Sequence, residues 1–393
     1  MTTPQSACSS QNRAAWRDML TRPDTAPAAL ASVFLFASLL VLPLCTVPRV
    51  AVLYLIAVVC FYYALVRAVL AMLGLAAPLL LIYGVTGSIN LTAVGAALLL
   101  GGACGAFLLI HYHHPKDPRF WGVVSVPVLA YGIAAFLTQD PVRGLLVLLP
   151  LSLSLVFAWC VLSYQSLTPS VVSGTAALTA ALTVALLVTL AVTGGLSGNP
   201  VGEIAATLRA EIAGTLAQSR ALYAELGMQI AMTDAEIVNT AAVTVNLMPA
   251  ILIASFTALT YLSWRALLRM LVVWETLPRL PLRLGALSMS AFSAGLFIVS
   301  FVAALIANTE QVTLAGAILQ SISLVLEPGL ALVGFASLYA RGDRRSCLTS
   351  LLSLGLIFIL FSNLGTGLAL AAFFGAINIL MARFLPSPNE KGE

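Results

Sequence analysis

The stretch SVVSGTAALTAALTVALLVTLAVTG, residues 170–194, contains no charged side chain. A helix rises about 1.5 Å per residue, so a helix of this length can cross a hydrocarbon core about 30 Å thick. Its apolar residues run continuously and do not alternate with polar ones, which excludes a strand of a membrane β-barrel. We therefore interpret this stretch as a transmembrane α-helix.

The rest of the chain has the same character. Hydrophobic residues make up 60% of the 393 positions, charged residues make up 9%, and the mean hydropathy is +1.02. A soluble domain carries about 25% charged residues, so the composition predicts an all-α, polytopic transmembrane helix bundle. The predicted spans are 28–47, 50–66, 68–85, 91–110, 120–138, 145–163, 170–194, 240–264, 284–306, 313–339, 347–362 and 365–382.

Basic residues indicate the orientation of these twelve spans. If the N-terminus is cytoplasmic, fifteen of the 19 Lys and Arg residues lie in cytoplasmic segments. The four on the opposite side are Arg49, Arg143, Arg209 and Arg220. This bias is the positive-inside pattern, so we expect a multi-pass protein of the cell membrane with both termini in the cytoplasm.

The same topology divides the chain into five parts. Residues 1–27 and 385–393 are the N-terminal and C-terminal cytoplasmic tails. Residues 28–194 hold transmembrane helices 1–7, and residues 240–384 hold helices 8–12. Between them, residues 195–239 form an extracytoplasmic insertion that is less apolar than the spans.

We predict that this insertion is an amphipathic helical hairpin. Asn199 and Pro200 suit the N-cap and first position of a helix over 200–226, and Gly227 suits its end. Thr233 and Glu236 have the spacing of a capping box, which predicts the start of the next helix. The hairpin is either a lid or docking element for a protein partner, or an amphipathic helix lying on the bilayer surface.

One acid, Glu327, lies near the middle of the tenth span. Its neighbours at helical spacing, Thr313, Gly316, Gln320, Ser323, Ala331 and Gly334, are all small or polar. Lipid would leave Gln320 and Glu327 without hydrogen-bond partners, so we expect this face to lie against protein or water. Acids at this depth are expensive to place and mark functional sites.

Pro328 follows the acid directly. Proline removes a backbone donor and disfavours helical geometry at the preceding residue, so we expect a kink or a break there. Interrupted spans beside an acid form the midplane sites of secondary transporters, and a desolvated carboxyl can also carry a proton. The candidate binding residues are Gln320, Ser323, Glu327, Pro328 and Gly329. The alternative is a protonated Glu327 that only hydrogen-bonds a neighbouring helix.

Other polar residues are secondary candidates. Asn246, Asn363 and Asn378 are intramembrane amides, which often bridge helices. The histidines of the segment HYHHPKDPR, residues 111–119, are read as solvated side chains at the cytoplasmic edge of the membrane. Gly101, Gly102 and Gly105 indicate close helix packing.

The sequence has no motif of an enzyme or of a metal or cofactor site. It contains no P-loop, no GxSxG, no HExxH and no CxxC. We therefore expect no catalytic activity, no cofactor and no metal. The formal charge of +4 lies in the cytoplasmic segments, so it favours anionic lipid headgroups and not nucleic acid as the partner.

Three segments occur in an order that resembles a bacterial membrane protein family. They are NLMPAILIASFTALTYLSWRALLR (246–269), LPRLPLRLGALS (277–288) and EPGLALVGFASLYARGDRR (327–345). This order resembles the YybS-like membrane proteins, catalogued as domain of unknown function 2232, over residues 28–384. The group is distantly similar to the substrate-binding components of energy-coupling-factor vitamin transporters, so the resemblance implies binding of a small solute. It assigns no binding residue here.

Two functions therefore remain open. The first is a transporter or small-solute-binding membrane component with a polar site around Glu327. The second is a non-transporting scaffold for cell-envelope or division machinery that binds proteins through the outer hairpin and the basic cytoplasmic loops. The first predicts that Glu327 lines a water-accessible cavity, whereas the second predicts a solid bundle.

Overall fold

The structure is a computed structural model that describes ten segments of the chain. They are residues 25–44, 47–66, 88–112, 118–140, 144–192, 200–225, 233–274, 289–306, 314–342 and 364–384. These segments contain eleven α-helices, with a short 3-10 turn, Leu145–Val147, before the fifth. The helices are α1 Thr25–Leu44, α2 Pro48–Val66, α3 Ile89–His111, α4 Pro118–Thr138, α5 Leu148–Leu162, α6 Leu167–Val192, α7 Pro200–Glu225, α8 Asp234–Val273, α9 Ala291–Ile306, α10 Leu314–Gly342 and α11 Leu364–Phe384.

These helices confirm the all-helical fold class and the membrane character of the chain. Eight helices of the described segments are long and apolar enough to cross a membrane. Two shorter apolar helices, Pro48–Phe61 and Ala291–Ala304, fall on the predicted spans 50–66 and 284–306. The predicted spans 68–85 and 347–362 lie outside the described residues. The count of twelve therefore stays a prediction.

The chain divides into two compact units. The first comprises Met1–Thr189 and Phe256–Ala286, and the second comprises Leu190–Ser255 and Leu287–Glu393. Helix α8 contributes to both, because its 40 residues continue from the second unit into the first.

In the first unit, α3 is the central helix. Nearly all of its residues are buried, and it packs against α1, α2 and α5. Three glycines make this close packing possible. A Cβ on Gly101 would lie 2.9 Å from Cβ of Pro150, and one on Gly102 would lie 2.5 Å from Cδ2 of Leu153. A Cβ on Gly105 would meet Oγ of Ser154. The prediction of close packing at these glycines is therefore confirmed.

Buried hydroxyls connect the helices of this unit. Ser263 of α8 donates to the carbonyl of Leu99 at 2.7 Å. The hydroxyls of Ser38 and Tyr54 lie 2.7 Å apart in the interface of α1 and α2. Small polar groups of this kind satisfy one another across membrane helices, where neither water nor lipid offers a partner.

One prediction about this unit is wrong. His111 is buried, with 8% of its surface exposed, and it is not solvated at the membrane edge. Its Nδ1 bonds the carbonyl of Phe107 at 2.9 Å, and the two rings lie 4.2 Å apart between centroids. An apolar neighbour and a local hydrogen bond thus replace water around this imidazole. His113 and His114 lie outside the described residues.

In the second unit, the start of α8 has the predicted capping box. The amide of Glu236 donates to Oγ1 of Thr233 at 3.3 Å, and the amide of Thr233 donates to Oε2 of Glu236 at 2.6 Å. Arg220, near the end of α7, forms an ion pair with Asp234 at 2.6 Å. The helix predicted over 200–226 is confirmed as α7, and the helix predicted to begin near Thr233 is confirmed as α8.

Helices α9, α10 and α11 pack on one another in the same unit. Their buried core consists mostly of alanines around two larger side chains, Phe297 and Leu330. Small residues let helix backbones approach closely, which is how membrane helices gain contact energy when lipid is as apolar as their side chains.

Candidate functional site

The candidate site lies on α10. The part of this helix that can cross a membrane is Gly316–Ser337, a stretch of 22 residues. Glu327 lies eleven residues from its first residue and ten from its last. At about 1.5 Å per residue, the acid is therefore about 15 Å from each end, at the centre of this stretch.

Part of the small and polar face of α10 packs against protein. Ser323, Ala331 and Gly334 are buried, whereas Gln320 and Glu327 are half-buried. Ile318, on another face of the helix, is 52% exposed. The burial of Ser323, Ala331 and Gly334 agrees with the expectation that this face avoids lipid, and for Gln320 and Glu327 the expectation stays a prediction. Thr313, the first residue of the predicted face, lies outside the described residues.

Beyond Glu327 the same face forms the contact with α11. A Cβ on Gly334 would meet the carbonyl oxygen of Ala371, and one on Gly375 would meet the carbonyl oxygen of Leu330. The two backbones therefore touch at these positions, and the last turns of the small-residue face serve packing.

Gly329, a predicted binding residue, contacts a methionine. A Cβ at this position would lie 2.9 Å from Sδ of Met289 and 3.3 Å from its Cε. The absence of a side chain at Gly329 thus makes room for Met289, which packs against the core of α9, α10 and α11.

Pro328 does not break the helix. Of the predicted kink or break, the break is wrong, because helix α10 is continuous from Leu314 to Gly342 with Pro328 inside it, and the kink stays a prediction. The proline still has no N–H, so the carbonyl of Leu324 loses the donor that residue i+4 normally supplies. Unlike the neighbouring turns, this turn of α10 therefore has spare hydrogen-bonding capacity.

Ser323 and Glu327 have spare capacity too. The hydroxyl oxygen of Ser323 is buried and has no hydrogen-bond partner among the described residues. The carboxylate of Glu327, one turn further along, makes no hydrogen bond or ion pair with any part of the chain that the structure describes. An unsatisfied buried hydroxyl costs about 1–3 kcal/mol, and a carboxylate costs more. A buried hydroxyl without a partner, one turn from a half-buried acid that is also unpaired, favours a site that binds something.

The secondary candidates are dispersed. Asn246 is exposed on α8, and Asn378 is half-buried on α11, where it has an interaction partner. Asn363 lies outside the described residues. Among the described residues, no hydrogen bond joins Asn246 to Glu327.

Two buried polar groups without a partner among the described residues were missed by the sequence reasoning, Oδ1 of Asn90 on α3 and Oγ1 of Thr260 on α8. Oγ1 of Thr260 on α8 is fully buried and unpartnered among the described residues. Thr257, Thr260 and Ser263 recur at a spacing of three, which is a signal for a hydroxyl-lined helix face. Ser263 bonds to α3, and Thr257 lies 3.4 Å from the hydroxyl of Thr175 on α6.

Comparison with known proteins gives one match. A family model described as "Predicted membrane protein (DUF2232)" matches residues 118–339, which is more than half of the chain. The matched region includes α4 to α9 and most of α10, with the whole turn that contains Ser323, Glu327 and Pro328. No curated protein and no solved structure matches the chain significantly.

Proposed function

The chain belongs to the DUF2232 family of predicted membrane proteins, and from that premise we propose that it is a transporter or small-solute-binding membrane component whose site is the turn of α10 around Glu327. The observation that supports this most is the pair of unpartnered groups at the centre of an apolar span. Ser323 Oγ is buried without a donor or acceptor, and Glu327 has no counter-charge within the described segments.

A packing role alone gives no reason for these two groups. Alanine at 323 and leucine at 327 would avoid the desolvation of a hydroxyl and an acid. Charged groups at the bilayer centre are expensive by every scale, with estimates from about 3 kcal/mol upward, and they face protein or water. A bound solute or proton would offset this cost.

A second candidate function is a non-transporting scaffold for envelope or division machinery. It is favoured by the surface of α7, where Ile204, Leu222 and Tyr223 are exposed. The ion pair of Arg220 with Asp234 joins α7 to the start of α8 and would hold such a surface in place. On this proposal the two helices form an extracytoplasmic hairpin that binds a protein partner.

Several further properties belong to the proposal. We place the chain in the cell membrane with twelve spans and both termini in the cytoplasm, because the basic residues favour that orientation. Its partners are the lipid bilayer and a small solute, and nucleic acid is not one of them. The chain is proposed not to be an enzyme, since its sequence has no catalytic motif. The likeness to YybS-like proteins and to vitamin-transporter components favours solute binding.

Water accessibility of the α10 face tests the proposal. Single cysteines replace Gln320, Glu327 or Ile318 in a variant whose six native cysteines are changed to alanine or serine. A charged methanethiosulfonate is then added to the protein in liposomes. We expect the cysteines at 320 and 327 to react and the one at 318 to stay unmodified, because a thiol in lipid does not ionise.

If the protein is a scaffold, the same experiment should give a different result. A solid bundle leaves all three cysteines unmodified, and that outcome would reject the transporter or solute-binding proposal. A second comparison uses Glu327→Gln, which keeps the shape of the side chain. A site predicts loss of solute or proton binding with the fold retained, whereas a scaffold predicts no change.

A further inference from the structure

The oxygen atoms around Glu327 share one chemical property. The carboxylate of Glu327 and the carbonyl of Leu324 can only accept hydrogen bonds, and the hydroxyl of Ser323 can donate or accept. Glu327 is four residues from Ser323 and three from Leu324, so each of these two residues lies within about one helical turn of the acid. Ser323, with 8% of its surface exposed, is unpartnered within the described residues. A ligand of this turn must therefore supply donors.

The charge of the ligand follows from the neighbouring helices. Helix α9 has no ionisable residue, and the one such residue of α11 is Arg383, which is exposed in the last turn. Apart from Glu327, α10 has only Tyr339 and Arg341, which are at its end, about 18–21 Å further along the helix axis. These helices therefore offer no positive side chain at the depth of the carboxylate.

We propose that Ser323, the Leu324 carbonyl and Glu327 bind one monovalent cation with N–H donors, a protonated amine, and that this amine exchanges with a proton on Glu327. This inference deepens the proposed function and rests on it, since it names the substrate class and the coupling ion of the same site.

The exchange keeps the site neutral at every step. In the proton-bound state, Glu327 is a neutral carboxylic acid. When an ammonium group enters, the O–H bond breaks, its electron pair stays on the carboxylate, and the proton leaves to water. The ammonium N–H groups then donate to the carboxylate, the carbonyl and the hydroxyl oxygen. One positive charge replaces another, so no bare carboxylate remains in the apolar bundle.

A lipid-soluble carbodiimide tests the inference on the full chain in phosphatidylcholine liposomes. This reagent modifies protonated carboxyl groups, and mass spectrometry locates the modification at Glu327. Above the pKa of the group, labelling is expected to fall about tenfold per pH unit, as the protonated fraction does. At a fixed pH, methylammonium chloride is expected to reduce labelling severalfold. Choline chloride at equal concentration should have no effect, because choline has no N–H donor.

Two serine variants separate the site from the rest of the helix. Ser323→Ala should weaken the protection by methylammonium severalfold. Ser337→Ala, which removes a hydroxyl bonded to the Gly334 carbonyl at 2.8 Å, should leave the protection unchanged. Equal protection by choline, or protection by sodium as strong as that by methylammonium, would overturn the inference. Absence of labelling at every pH would overturn it as well.

The two proposals fail in distinguishable ways. If the methanethiosulfonate reaches a cysteine at 327 but methylammonium does not protect Glu327, the solute site stands and its amine specificity is wrong. If neither reagent reaches position 327, the site itself is wrong and the inference is rejected with it.

Discussion

Gly334 of α10 and Gly375 of α11 face each other with no side chain between the two backbones. A Cβ on Gly334 would meet the carbonyl oxygen of Ala371, and one on Gly375 would lie 2.9 Å from the amide nitrogen of Gly334. Backbone atoms cannot rotate away as the end of a side chain can, so the helices would have to separate. This contact lies on the same helix face as Glu327, two turns further along.

We expect Gly375→Ala to destabilise the protein, because the new methyl group overlaps the Leu330 carbonyl. Overpacking of this kind costs about 1–3 kcal/mol. Gly295→Ala on α9 is the matched control, since a Cβ there meets nothing within 4 Å. Alanine favours helix over glycine, so the control should be neutral or stabilising. Thermal unfolding in detergent measures both variants, and equal melting temperatures would contradict the contact.

The second prediction compares two buried serine hydroxyls, one without a hydrogen-bond partner and one that donates a hydrogen bond. Ser323→Ala removes an unpartnered hydroxyl, so stability should stay the same or rise by about 1 kcal/mol. Ser263→Ala removes the donor to the Leu99 carbonyl and should lower stability by about 1 kcal/mol. Thermal unfolding of the two variants beside the wild type checks the sign of each change. A loss of stability for Ser323→Ala equal to that for Ser263→Ala would show that Ser323 has a structural partner.

The capping box at Thr233 makes the start of α8 dependent on pH. A helix of 40 residues is about 60 Å long, twice the hydrocarbon thickness, so its first turn can lie outside the bilayer. There, hydrogen bonds from the amide and hydroxyl of Thr233 lower the pKa of the exposed Glu236 carboxyl. The pKa is lower in the folded state, so the stabilisation is present above the unfolded pKa. It is lost as the pH falls through the folded pKa.

Hydrogen exchange at the amides of residues 234–237 measures this effect. Protection should fall on acidification in the wild type. Glu236→Gln can still accept from Thr233, so its protection should not depend on pH over the same range. Protection that falls equally in both proteins would show that another group is responsible.

The fourth prediction concerns topology. In the proposed orientation, Ser219 lies outside the cell and Arg344 lies in the cytoplasm. Single cysteines at the two positions should react with an impermeant maleimide from opposite faces of the membrane. Reaction of both from one face would reject this orientation.

Sequence reasoning located the helices well where one physical requirement dominates. Long apolar runs have to span a fixed thickness, and Thr233 with Glu236 encodes a local hydrogen-bond pattern, so both were predictable. Packing partners were not predictable. A glycine such as Gly102 indicates that another helix approaches closely, but it does not identify Leu153 as the residue in contact.

The remaining differences also have physical causes. A kink or a break at Pro328 was expected from backbone chemistry alone. There is no break, because a membrane helix tolerates one missing hydrogen bond and α10 continues through the proline. His111 was expected in water from its position at a span end. The neighbouring Phe107 and Trp274 rings, 5.1 Å apart between centroids, instead enclose that end of the helix. Spacing in the sequence identified the face of Glu327, whereas the orphaned Ser323 hydroxyl became visible only with the neighbouring helices in place.

Helix α3 has a consequence for how the protein is assembled. A membrane helix enters the bilayer as a separate segment before it packs with its neighbours, so α3 must first be stable among lipid acyl chains. The leucines of α3 stabilise it in lipid at that first step. Gly101, Gly102 and Gly105 become important only at the second step, when α5 packs against α3. Alanine at Gly102 should therefore insert normally and then stall as an incompletely assembled chain, which the cell would remove by proteolysis.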